Sequence, residues 1–63
     1  MENEPVKHFR DFRKRANKVL ANGNPLAAAS LFEEAASWAR AAGLLDDARR
    51  MQDNADKARQ KGQ

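Results

Sequence analysis

Cysteine is absent from this 63-residue chain, which removes disulfides and thiolate metal sites as staples for a small fold. Long apolar runs are also missing, so neither a membrane span nor an ordinary secretory signal peptide is expected, and the cytoplasm is the default compartment. Histidine occurs once, as His8. With no second His and no Cys to join it, a metal centre or a general-base site has little to be built from. Glu33-Glu34 and Asp46-Asp47 are paired only in sequence; adjacent helical residues point about 100° apart, so neither pair shares a proton or grips a metal. Bulky apolar residues are few. Hydrophobic residues make up 41%, much of it alanine, and a core of this size supplies about 3–5 kcal/mol of net stability.

Strand patterning is lacking too, and three helical stripes take its place. Val6, Phe9, Phe12, Ala16, Val19 and Leu20 recur at steps of three and four, which predicts a helix over about 5–21, with Pro5 in its first turn. Asn22-Gly23 ends it, the glycine supplying a left-handed terminal residue. Asn24-Pro25 restarts the chain as N-cap and first helical residue. In the second helix, about 25–42, Leu31, Phe32, Ala35, Trp38, Ala39 and Ala42 share a face that Ala29 and Ala36 widen. Gly43 is the second stop. A third helix over about 44–60 carries Leu44, Leu45, Ala48, Met51, Ala55 and Ala58 inward, with acids in its first turn and bases in its last, the order the helix dipole favours. Residues 1–3 and 61–63 are expected to fray, and Met1 is what a complete small protein would begin with.

The second and third helices also open alike. Gly23–Ala35 (GNPLAAASLFEEA) and Gly43–Ala55 (GLLDDARRMQDNA) align small and bulky positions twenty residues apart, a repeat that predicts a helical-hairpin scaffold. Turns of two or three residues force antiparallel neighbours. The predicted fold is therefore one all-α domain over 1–63, an up-down-up three-helix bundle with the second helix central.

Within it, Ala16, Gly23-Asn24, Ala28, Phe32 and Ala35 fall where the tetratricopeptide repeat places its small and aromatic packing residues, and residues 9–42 resemble one such repeat followed by an extra helix. The departures are a loose match to the first-helix signature at Phe9, Phe12 and Arg15-Ala16, and Gly43 where a proline is expected. The resemblance implies a non-enzymatic protein–protein interaction or scaffold module.

Two surfaces are candidates for binding. Trp38 lies at the edge of the second helix's apolar arc, as core or as an interface anchor. Ala29 and Ala36, on the far edge, would line a flat groove for a peptide, a partner helix or a second copy of the chain. The first helix carries Lys7, Arg10, Lys14 and Lys18 in one stripe opposite its phenylalanines. That stripe is either a solvated face or a contact for phosphates or an acidic partner, which gives the alternative function of a small basic nucleic-acid-associated protein. No cofactor, metal, membrane or small-molecule substrate is expected, and His8 reads as a surface histidine.

Overall fold

Three helices account for the chain in a computed structural model that describes residues 3–63: α1 Glu4–Ala21, α2 Pro25–Ala41 and α3 Leu45–Lys61. Met1 and Glu2, part of the end expected to fray, lie outside the described residues. Among the described residues there is no strand, and no helix is long and apolar enough to cross a membrane. The fold is an all-α three-helix bundle.

Both joints are built the same way. Gly23 and Gly43 have φ of +84° and +77°, the left-handed region where a side chain is strained. After α1, Asn24 N donates to Val19 O at 3.2 Å and Gly23 N to Leu20 O at 3.0 Å; after α2, Leu44 N donates to Ala39 O at 2.8 Å and Gly43 N to Arg40 O at 3.0 Å. Each is the paired 6→1 and 5→2 closure of a Schellman motif, which satisfies carbonyls that a helix end otherwise leaves open. Asn24 then caps α2, its Oδ1 accepting from Ala27 N at 3.4 Å. Leu44 occupies the corresponding position before α3 without a side-chain cap.

The core is small in both senses. Phe9, Phe32 and Met51 are its bulky members, and the other buried residues are alanines on all three helices: Ala16, then Ala28, Ala29, Ala35, Ala36 and Ala39, then Ala48, Ala55 and Ala58. Alanine faces let helix axes approach toward the short end of the usual 8–10 Å range. Phe12, Val19, Leu20, Leu31, Trp38 and Leu44 seal the margin, each partly buried.

α2 is central, as expected, with α1 and α3 packed along it on either side. The two outer helices meet each other only marginally, and the Cα envelope measures 39 × 18 × 12 Å. At the far end, α3 continues through Lys61, and Gly62 N donates to Ala58 O at 3.0 Å. An added Cβ on Gly62 would lie 2.7 Å from Leu26, so the end of α3 lies against the start of α2.

Candidate functional site

Ala29 and Ala36 do not form a surface. They are 2% and 0% exposed, and this corrects the expectation of a flat alanine groove. On the helical wheel they share an edge with Glu33, whose Oε2 accepts from Arg59 Nη2 of α3 at 2.8 Å. That edge is therefore the one α3 covers. The hydrogen bond and charge of Glu33 raise Arg59 above the usual guanidinium range, with Asp56 pulling in the same direction. Asp56 Oδ1 lies 3.7 Å from Arg59 Nη1 and accepts from Gln52 Nε2 at 3.3 Å. These contacts engage Glu33 of α2 and Asp56 of α3.

Trp38 is half-buried, and its exposed part is not bare. The His8 ring stacks on it, with centroids 4.4 Å apart and planes 29° off parallel, while His8 Nε2 lies 3.5 Å from Glu4 Oε2. The Glu4–His8 contact is an i,i+4 pair that was not anticipated for a histidine expected to lie alone at the surface, and the stack on Trp38 could not be, because it depends on how α1 slides along α2. His8 and Trp38 line a shallow cleft of about 390 Å³ with Asp11, Phe12, Arg15 and Glu34, in which both signs of charge are present.

A different site opens because α1 and α3 stand apart. Between their C-terminal halves lies a groove of about 220 Å³ floored by Leu20, Phe32 and Ala58. Asn17 of α1 and Asn54, Lys57 and Lys61 of α3 rim it. Its lining contains no carboxylate. None of these residues stood out in the sequence as a site: Leu20, Phe32 and Ala58 read as core, and the groove exists only through the spacing of two helices that are not neighbours in the chain. The stripe on α1 does hold as a surface, with Lys7, Arg10, Lys14 and Lys18 all exposed.

Among the described residues no group of three or more His, Cys, Asp or Glu converges as a metal site would. Comparison with protein-family models, with curated proteins and with solved structures finds no match.

Proposed function

We propose that the protein is a non-enzymatic protein–protein interaction module, a single tetratricopeptide-like hairpin with one further helix, that accepts an acidic partner segment in the groove between α1 and α3. The observation that carries this reading is the composition of the groove: an apolar floor, two lysines and two asparagines, and no acid in the lining. A bulky aliphatic side chain fits against the partly buried Leu20, which lies over the buried Phe32 at the bottom of the groove. Carboxylates on either side of it meet Lys57 and Lys61 as charge-assisted pairs, and Asn17 and Asn54 supply amide donors for its oxygens or backbone. The groove is open and modest in size, which fits an extended peptide better than a second helix.

The test is fluorescence anisotropy with a labelled peptide carrying one leucine between glutamates, compared with the same peptide bearing lysines for the acids. The acidic peptide should bind and the basic one should not. Replacing Lys57 and Lys61 together by Glu should weaken binding by about tenfold or more, the cost of losing at least one charge-assisted contact. Equal binding of both peptides, or no effect of the double replacement, refutes the reading. Light scattering on the same samples separates it from self-association through the groove, which would appear as a mass that grows with concentration.

A further inference from the structure

The excess positive charge of the described chain resides on one helix. In α2 and α3, Arg40, Arg49, Arg50, Lys57, Arg59 and Lys61 are balanced by Glu33, Glu34, Asp46, Asp47, Asp53 and Asp56. Several of these charges are also spent on each other, in the Glu33–Arg59, Asp56–Arg59 and Asp47–Arg50 contacts. The sequence of α1, by contrast, carries Lys7, Arg10, Arg13, Lys14, Arg15 and Lys18 against two acids of its own, Glu4 and Asp11, and Glu4 lies against His8.

The geometry orders these cations. Arg10, Lys14 and Lys18 are exposed and recur every four residues, a rise of about 6 Å per step, along the side of α1 turned away from α2. Arg13 and Arg15 stand on the two flanks, each held over a ring: Arg13 at 5.0 Å from the Phe9 centroid and Arg15 at 5.5 Å from that of Phe12. Such stacking restrains an arginine while leaving its charge outward. Since α1 is an edge helix, packed against α2 and barely meeting α3, no other helix among the described residues covers this side.

We infer that this side of α1 is a sequence-independent docking surface for the phosphate backbone of a nucleic-acid duplex. Phosphate contacts of this kind supply affinity and position without reading bases. Single-strand binders stack bases on exposed aromatics, whereas Phe9 is buried and Phe12 half-buried against the core. A membrane surface takes the apolar face of an amphipathic helix, and here that face is packed onto α2. A protein partner would be anchored by aromatic or aliphatic residues at the centre of its contact, and the stripe has none.

The experiment is anisotropy of a labelled, mixed-sequence DNA duplex titrated with the full chain across a sodium chloride series. Contacts from Arg10, Lys14, Arg15 and Lys18 predict a slope of log K against log salt of about −3 to −4, and so a loss of about a hundredfold between about 50 and 200 mM. R10E with K14E should abolish most of the binding and shrink the slope by about 2. R40E with R49E changes the net charge equally on the other two helices and should leave the affinity within about twofold. Circular dichroism on both variants checks that the helices persist, and a variant that has lost them is replaced by R10Q with K14Q, read against R40Q with R49Q. Equal loss in the two variants overturns the inference, since net charge alone would then explain binding. So does absence of duplex binding, tighter binding to a single strand of the same sequence, or equal binding to polyglutamate or to vesicles of anionic lipid. The K57E/K61E variant should lose the acidic peptide and keep the α1-dependent slope, so failure of one surface is distinguishable from failure of the other.

Discussion

Gly23 and Gly43 are held at positive φ, yet nothing lies within 4 Å of where a Cβ would stand on either. The cost of replacing them is therefore one of backbone conformation and not of space. Gly23→Ala and Gly43→Ala should each destabilise by about 1–2 kcal/mol, with a lower urea midpoint and an unchanged slope. Phe32 differs in kind, being the largest side chain that is fully buried. Truncation to alanine in such a setting costs about 3–5 kcal/mol, comparable to the entire stability of a domain of this size. The Phe32→Ala protein should therefore lose its helical circular dichroism at room temperature. Removing His8, in turn, uncovers a ring without opening the core, and His8→Ala should shift Trp38 emission to longer wavelength while the melting temperature changes little.

Helices and joints were legible in the sequence because each is decided by neighbours in the chain. Asn22-Gly23 and Asn24-Pro25 together state a stop and a start, and the stripe of Val6, Phe9, Phe12 and Ala16 states an inward face. What escaped the reading was which edge of α2 each neighbour covers. A helical wheel gives Ala29 and Ala36 an angle, but alanine's small side chain does not say whether that angle meets water or α3. Glu33 and Arg59 hold the answer, twenty-six positions apart, and no periodicity connects them. Their pair joins α2 to α3 at partly exposed positions, so its contribution should be salt-sensitive. A double-mutant cycle with Glu33→Gln and Arg59→Gln should show a coupling that shrinks as sodium chloride is added. Because Arg59 is raised as a cation, its share of that coupling is present below the guanidinium range. Raising the pH from neutral to mildly alkaline should not remove it.

At the scale of the whole molecule, the exposed large apolar residues among those described are Leu26 at 53% and Leu45 at 69%, the latter turned outward where an inward position was expected. Leu26 opens α2 and Leu45 opens α3, which places them at opposite ends of the 39 Å long axis. They do not add to one patch of the size that drives association. The purified protein should scatter light as a monomer over a wide concentration range. The same arrangement governs how the chain reaches its folded state. With α1 and α3 barely meeting, nearly all helix contacts join elements adjacent in sequence, and no long loop has to close before a contact forms. Relative contact order is low, and proteins of that kind fold in microseconds to milliseconds. Stability then divides between two interfaces, α1 on α2 and α2 on α3, each closed by its own glycine joint. Either hairpin can form first, and mutations at the two joints should slow folding independently of one another.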